Sequence, residues 1–198
     1  MAITYPIQMP LRSDGSTVVQ SYNLRMVNKV GVTESPFTFK QQIQDYNAMR
    51  WELTFTTAPL YGADAKNFRA FLQSLKGRLG MFYFPIPQSG VNYSTNGAHT
   101  EGSDAVTFRT SNQATNPLVS GTYFSIMNRL YMALEDWQND TTPVNVTPNL
   151  RNSLTNSNTI YSNNPIGTFR LASNTSEFSV DVTEGHSFTV ACEEALVD

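Results

Sequence analysis

The segment Trp51-Glu52-Leu53-Thr54-Phe55-Thr56 alternates apolar and polar residues without a break. Successive side chains of a β-strand point to opposite faces, so Trp51, Leu53 and Phe55 share one face. The pattern predicts a strand with one buried side. Such a strand needs a second apolar element to cover its buried face.

Directly after this strand, the apolar spacing changes to that of a helix. From about residue 63 to residue 76, apolar side chains recur at helical intervals. This stripe predicts one well-defined helix that packs on the strand. Asp64 lies near the helix N-terminus, where its charge opposes the dipole, and Gly77 stands where a left-handed residue ends a helix. The stripe consists of Ala65, Phe68, Phe71, Leu72, Leu75 and Leu79. We expect a structural core of Trp51, Leu53, Phe55, Phe68, Phe71, Leu72 and Leu75, and a helix-ending turn at Gly77 and Gly80.

Most of the remaining chain has the pattern of short strands. Residues 1–58 are predicted to form strands, one of them at residues 16–27, with interruptions at Gly31 and Pro36. Further strands are predicted at residues 81–84, 105–110, 121–126, 129–134, 167–171, 178–182 and 187–191. Those at 121–126 and 129–134 form a predicted hairpin that turns at Met127-Asn128. Residues 139–164 are rich in Asn, Thr, Ser and Pro, which predicts long polar loops outside the core.

The predicted fold class is α+β and mostly β, with a β-sandwich or barrel core, one helix and long polar loops. Residues 1–87 are predicted to form a core domain with a strand-helix-strand unit. Residues 88–198 form a second β-rich region, which is either an inserted or adjoining β domain or a continuation of the same core.

Composition restricts the class of function. Charged residues make up 15% of the chain, against about 25% in an average soluble domain. A surface of uncharged polar groups loses its water at low cost, which suits interfaces with neighbours. The formal net charge of −3 and the lack of a basic stripe argue against a general nucleic-acid binder. No apolar stretch approaches the ~20 residues that cross a bilayer, and no signal-peptide pattern is present, so we expect cytosolic synthesis and no membrane partner.

The reactive residue types show no catalytic or metal-binding spacing. His99 and His186 lie in polar, Gly-flanked segments and are predicted to be exposed loop residues. Cys192 is the only cysteine, which excludes an internal disulfide and a thiolate cluster. Its spacing from His186 matches no nucleophile-base signature, so a half-buried strand residue is predicted.

Neighbouring acids are the other catalytic candidates. Glu135 and Asp136 follow each other near a strand end, so their side chains should diverge. Glu193 and Glu194 lie beside the C-terminus and are predicted to be solvated. Residues 76–80 end a helix, whereas a phosphate-binding loop begins one. We therefore predict no enzyme activity, catalytic residue, cofactor or metal; a hydrolase would require a pair of carboxylates assembled from distant strands.

The aromatic residues allow a second class of function. A carbohydrate-binding β module could stack sugars on a platform of Tyr83, Tyr93, Tyr123, Tyr131, Tyr161 and Trp137. Aromatic side chains in strands more often belong to a core or an interface. The module, used in adhesion to a host surface, is kept as the alternative hypothesis.

Several segments, taken as an ordered set, resemble known proteins. They are residues 35–44 (SPFTFKQQIQ), 50–55 (RWELTF), 71–82 (FLQSLKGRLGMF), 121–131 (GTYFSIMNRLY) and 168–171 (TFRL). The set resembles a group of minor tail proteins of tailed bacteriophages, related to distal tail and baseplate-ring proteins. None of these segments is a catalytic signature, and residues 139–164 are not matched.

The resemblance implies a structural, homo-oligomeric protein of the virion tail, made in the host cytoplasm. Its subunits would form a six-fold ring at the distal tail tip or another tail-tube junction, with tube and hub or fibre proteins as partners. DNA would pass through the channel without sequence-specific binding. We expect ring contacts from edge strands and from residues 88–104 and 139–164, and we expect Arg78 to interact with the helix dipole rather than with another subunit.

Overall fold

The computed structural model describes residues 3–109, 118–175, 179–180 and 185–196, and these are mostly β-structure with one α-helix. The α+β, mostly-β prediction is confirmed. The helical elements are α1 (Gly62–Ser74) and a 3₁₀ turn (Gly77–Leu79). The strands are β1 (Ile7–Gln8), β2 (Val19–Glu34), β3 (Gln41–Thr57), β4 (Phe82–Pro85), β5 (Tyr93–Thr95), β6 (Ala105–Val106), β7 (Phe108–Arg109), β8 (Tyr123–Ile126), β9 (Arg129–Ala133), β10 (Val144–Thr147), β11 (Thr159–Tyr161), β12 (Ile166–Leu171), β13 (Ser179–Val180), β14 (His186–Ser187) and β15 (Thr189–Glu194).

The first sheet carries the predicted core. Its strand order is β1-β4-β12-β15-β3-β2, antiparallel except for the β1–β4 pair. Trp51, Leu53 and Phe55 are each at most 2% exposed and belong to one buried cluster with residues of α1. Phe68 of the helix meets Phe55 at a ring-centroid distance of 6.5 Å. The expected core residues are all buried in one cluster: Trp51, Leu53, Phe55, Phe68, Phe71, Leu72 and Leu75. Ala65 of the apolar stripe is buried with them, whereas Leu79, the last residue of the stripe, lies in the 3₁₀ turn and is 65% exposed.

The helix ends two residues before the predicted residue 76. Leu75 is its C-cap, and Lys76 and Gly77 are both left-handed, with φ of 50° and 67°. The prediction for Gly77 is therefore confirmed. Gly80 has an extended φ of −79°, so its role in the turn is steric. Its N–H donates to the Leu75 carbonyl at 2.8 Å, which brings the two backbones close together.

Gly80→Ala is expected to lower the free energy of unfolding by about 1–3 kcal/mol, the cost of overpacking a filled site. The added Cβ would lie 2.6 Å from a ring carbon of Tyr5 and 2.7 Å from the Leu75 carbonyl oxygen. Urea denaturation measures the change. Gly31→Ala is the matched control, because its Cβ would meet only the Tyr46 side chain, at 3.0 Å; that exposed ring can move aside. Equal losses in the two variants would contradict the steric role of Gly80.

The second sheet curls into a nearly closed barrel. Its strand order is β6-β10-β9-β8-β11-β5-β7, with every neighbour antiparallel. Because only Thr107 separates β6 from β7, the two ends of this order are consecutive parts of the chain. The barrel has its own apolar interior, formed by Tyr93, Val106, Phe108, Leu118, Phe124, Ile126, Tyr131, Ala133, Trp137, Val144, Val146, Leu150, Leu154 and Ile160.

The barrel lies between β4 and β12 along the chain, and the strands after it return to the first sheet. The predicted region 88–198 therefore contains both an inserted barrel and a continuation of the first core. Within it, the hairpin turn at Met127-Asn128 is confirmed, with φ of 51° and 61° at the two residues.

The prediction of polar loops at 139–164 is wrong in part. This segment contains β10 and β11, and it buries Val144, Val146, Leu150, Leu154 and Ile160. Each short barrel strand needs only one or two inward apolar side chains, so the Asn- and Thr-rich composition concealed them. Residues 110, 178, 181 and 182 of the predicted strands lie outside the described residues. No helix of the described ranges has the length and apolar character needed to cross a bilayer.

Candidate assembly surface

A long two-stranded hairpin projects from the first sheet. Strands β2 and β3 pair from Val19↔Thr57 to Glu34↔Gln41. In residues 28–48, which we call the arm, every residue is exposed except Gly31 and Ser35, which are half-buried. At about 3.3 Å per residue, the paired strands carry the turn about 20 Å beyond the sheet.

Local interactions shape the two ends of the arm. At the turn, the Ser35 N–H donates to the Lys40 carbonyl at 3.0 Å, and Phe39 adopts a left-handed φ of 55°. Near the base, the pairing shifts between Lys29 and Val30, which forms a bulge that contains left-handed Asn47. Bulges bend and twist a hairpin, so this one sets the direction in which the arm leaves the sheet.

The arm exposes large apolar side chains. Phe37 is 92% exposed, Phe39 74% and Tyr46 60%. With roughly 150–250 Å² per aromatic side chain, these three leave about 350–550 Å² of mostly apolar surface in water. The largest apolar patch on a typical monomer has about this area, and it is often functional. Exposed Val30, Val32 and Ile43 enlarge it.

A buried ion pair holds the base of the arm. Arg151 donates to both carboxylate oxygens of Glu194, at 3.2 and 2.9 Å, and to the Met49 carbonyl at 2.6 Å. Glu194 also accepts the Trp51 N–H at 3.1 Å. The hydroxyl of Tyr131 accepts the Arg151 N–H at 3.0 Å. These bonds join β3, the barrel and the last strand at one point, so the arm starts from a rigid base.

Burial also governs the ionisation of Tyr131. Desolvation raises the pKa of Tyr131 to about 12, although the neighbouring Arg151 opposes the shift. The phenol therefore keeps its proton throughout the physiological range and acts as a neutral hydrogen-bonding group beside the ion pair.

The first sheet has a second face, turned away from the apolar core. Here five charged side chains of alternating sign form a ladder of ion pairs: Arg25, Glu52, Arg50, Glu193 and Arg78. Glu52 and Glu193 stand directly opposite each other in the β3–β15 register. Arg50 lies between them and binds Glu52 at 2.8 Å and Glu193 at 2.7 Å, which relieves their repulsion. The ladder lines a polar groove of about 490 Å³.

Hydrogen bonds from Arg25, and then from Arg50, hold the pKa of Glu52 below its ordinary value. A carboxyl whose pKa is lowered by folding stabilises the fold above its unfolded pKa, and this stabilisation is lost as the pH falls through the folded pKa. The ladder therefore contributes at neutral pH and weakens in acid.

Two predictions about these charges were wrong. Glu193 and Glu194 were expected to be solvated, yet they are 8% and 5% exposed. Strand β15 lies inside the sheet between β12 and β3, so nearness to the C-terminus did not imply exposure. Arg78 was expected to interact with the helix dipole, whereas its guanidinium binds Glu193. Asp64, by contrast, lies in the first turn of α1 as predicted, and it also accepts hydrogen bonds from Ser13.

No family model and no curated protein matches this chain. The arm and the residues around its base are therefore the features of the described chain that bear on its function.

The histidines do not lie in exposed loops, contrary to prediction. His99 is half-buried, its Nε2 accepts the Thr107 N–H at 3.3 Å, and desolvation lowers its pKa. His186 is half-buried in β14 and forms a bridge with Leu60. His99 through its side chain, and His186 through its backbone, each join segments that are far apart or unpaired in the sequence analysis.

The remaining reactive residues are also apart from one another. Cys192 is 2% exposed in β15, more buried than predicted, and burial raises the pKa of its thiol. Glu135 accepts from Asn145 at 2.7 Å, whereas Asp136 accepts from the Ser120 N–H at 2.8 Å, so this pair diverges as predicted. Across the described residues, no three His, Cys, Asp or Glu side chains are grouped to hold a metal.

The aromatic platform of the alternative hypothesis is not assembled. Tyr93, Tyr131 and Trp137 are at most 6% exposed in the barrel interior, as expected for core aromatics. Tyr83 and Tyr123 are half-buried. Of the six, Tyr161 alone is well exposed, at 47%. Among the described residues, the three most exposed aromatic side chains, Phe37, Phe39 and Tyr46, lie instead on the arm. The sequence predicted strands in this region but no continuous hairpin over residues 28–48.

Proposed function

We propose that this chain is a structural subunit that assembles with copies of itself through the arm. The observation that carries the proposal is the exposed apolar surface of residues 28–48. A two-stranded hairpin is at best marginally stable alone in water, and one with uncovered aromatic side chains also exposes apolar surface at a cost. A neighbouring subunit that covers the arm removes both costs.

We further propose that the assembly is a ring in a bacteriophage tail, at the distal tip or another tail-tube junction, where it connects the tube to neighbouring tail proteins. The resemblance supports this, because one of its segments, residues 35–44, forms the end of the arm. In this proposal the main ring contact is the arm, an edge-strand element, rather than residues 88–104 and 139–164, which contribute to the barrel.

Phe37→Ser/Phe39→Ser is expected to abolish self-association and to leave the melting temperature nearly unchanged. Both side chains are exposed in the single subunit, so the fold loses little, whereas the interface loses its two largest apolar groups. Light scattering after size exclusion measures the mass, and negative-stain electron microscopy shows whether rings form.

Leu11→Ser/Leu79→Ser is the matched control, because both leucines are exposed apolar residues outside the arm, at 59% and 65%. This variant should assemble as the unsubstituted chain does. A chain that stays monomeric at every accessible concentration would contradict self-assembly. Electron microscopy of phage particles, with an antibody against this chain, tests the position in the tail.

A further inference from the structure

An apolar groove lies at the base of the arm. It is lined by Val27, Lys29, Ala48, Met49, Arg50 and Leu196 and has a volume of about 330 Å³. Leu196 forms one wall and is 47% exposed. On the other side of Leu196 lies a second depression, of about 430 Å³, which contains Glu101.

The tip of the same arm cannot fill this groove. The tip residues, Phe37 and Phe39, follow a ladder that runs without a further shift from Val30↔Asp45 to Glu34↔Gln41. The ladder spans about 13–17 Å at 3.3 Å per residue, and folding it back would break its backbone hydrogen bonds. An arm tip that occupies the groove must therefore come from another molecule.

We propose that the groove receives the arm tip of a second copy of this chain, an inference that rests on the proposed function. Phe37 and Phe39 are 92% and 74% exposed, so the two rings offer roughly 250–400 Å² of apolar surface. Exposed Val32, Ile43 and Tyr46 lie behind them. Together these side chains approach the ~800 Å² per partner that a stable interface buries.

The charges around the tip and the groove are complementary. Glu34 and Lys40 flank the tip, and Glu34 accepts a hydrogen bond from the neutral amide of Gln41 at 2.8 Å. Lys29 and Arg50 line the groove, and Glu101 lines the second depression with Arg129 and Arg151. The three arginines already have partners: Arg50 binds Glu52 and Glu193, Arg151 binds Glu194, and Arg129 donates to the Ala195 carbonyl. Among the described residues, Glu34, Lys40, Lys29 and Glu101 form no ion pair. Docking therefore brings Glu34 toward Lys29 and Lys40 toward Glu101.

This contact determines the kind of assembly. Tip and groove are different surfaces, so the interface is heterologous, and each copy leaves one tip and one groove for its neighbours. Repetition closes a ring or extends a filament. Since Arg151 and Glu194 hold the base at Met49 and Trp51, the angle between successive copies is set by a rigid part of the fold.

A disulfide between two copies tests the contact. Thr38→Cys lies between the two tip phenylalanines, and Ala48→Cys lies in the groove; both positions are exposed. The two variants, one with a mass tag, are mixed under mild oxidation. Cys192 contributes little background, because it is 2% exposed. Docking raises the local thiol concentration, so the mixed dimer should form on the order of a hundredfold faster than with a control cysteine.

The matched control is Ala172→Cys, an exposed alanine in the polar groove of the charge ladder. If light scattering shows association but the Thr38→Cys and Ala48→Cys variants form no mixed dimer, the groove is not the receiving site. The proposed function would still stand. Preferential linkage to Ala172→Cys would overturn it as well, in favour of the ladder face. A lack of any association would overturn the proposed self-assembly itself.

Discussion

Glu194→Ala is expected to lower the free energy of unfolding by about 3–5 kcal/mol, because it leaves Arg151 charged and largely buried without its partner. The side chains of Arg151 and Glu194 are 17% and 3% exposed. The substitution also removes the acceptor of the Trp51 N–H. We therefore expect the base of the arm to loosen along with the fold. Urea denaturation measures the stability, and hydrogen exchange at the Trp51 amide measures the local opening.

Two controls separate a buried unpaired charge from a general loss of contacts. Glu194→Met/Arg151→Met removes both charges and should recover much of the stability, because an apolar pair often replaces a buried ion pair without loss. Glu52→Ala breaks pairs with Arg25 and Arg50, which are 73% and 43% exposed. That loss should be about 1 kcal/mol or less. Similar losses from Glu194→Ala and Glu52→Ala would show that burial of the Arg151 pair does not matter.

Phe68→Ala is expected to cost about 3–5 kcal/mol of unfolding free energy, the range for truncating a buried aromatic side chain. Phe68 is fully buried, and its ring centroid lies 4.8 Å from that of Phe188 and 5.6 Å from that of Phe71. Removing the ring leaves a cavity where the helix meets the first sheet. Chemical denaturation monitored by circular dichroism gives the change.

The same substitution on the arm is the control. Phe37 is 92% exposed, so Phe37→Ala should change the stability of the single subunit by no more than about 0.5 kcal/mol. If the two substitutions cost the same, the helix–sheet contact would not be the principal core. The contrast also separates two roles of phenylalanine in this chain, stability in the body and association on the arm.

The Trp51 strand and the helix could be predicted because their signals are local. Strand alternation and helical spacing each repeat within a few residues, so the period identifies both the element and its buried face. All the expected core residues are buried for this reason. The hairpin at Met127-Asn128 could be predicted equally well, because its two strands are adjacent in the chain.

The arm could not be predicted in the same way. Residues 41–44 read Gln-Gln-Ile-Gln, which has little apolar alternation, and Pro36 lies between the two strands. Cross-strand hydrogen bonds continue the β2–β3 pairing beyond the rest of the first sheet. Apolar alternation is not required there, because no other part of the subunit covers either face of the hairpin. The arm has no buried face, so the usual signal of a strand is missing.

Residues 139–164 show the limit of composition. Their Asn and Thr content is typical of loops, but the barrel needs only a few inward side chains from each short strand. Val144, Val146 and Ile160 supply them. Closure of the sheet through β6 and β7 determines which side is inward, and that closure joins strands far apart in the chain.

Secondary structure and the apolar face of the Trp51 unit follow from neighbouring residues, because backbone periodicity is a local property. The ion-pair partners of a side chain and its exposure to solvent do not follow from neighbouring residues. Arg50 and Glu193 are separated by 143 positions, as are Trp51 and Glu194, yet hydrogen bonds join both pairs. Long-range strand pairing alone buries the two terminal glutamates and leaves the arm uncovered, since burial depends on which distant segments come together in space.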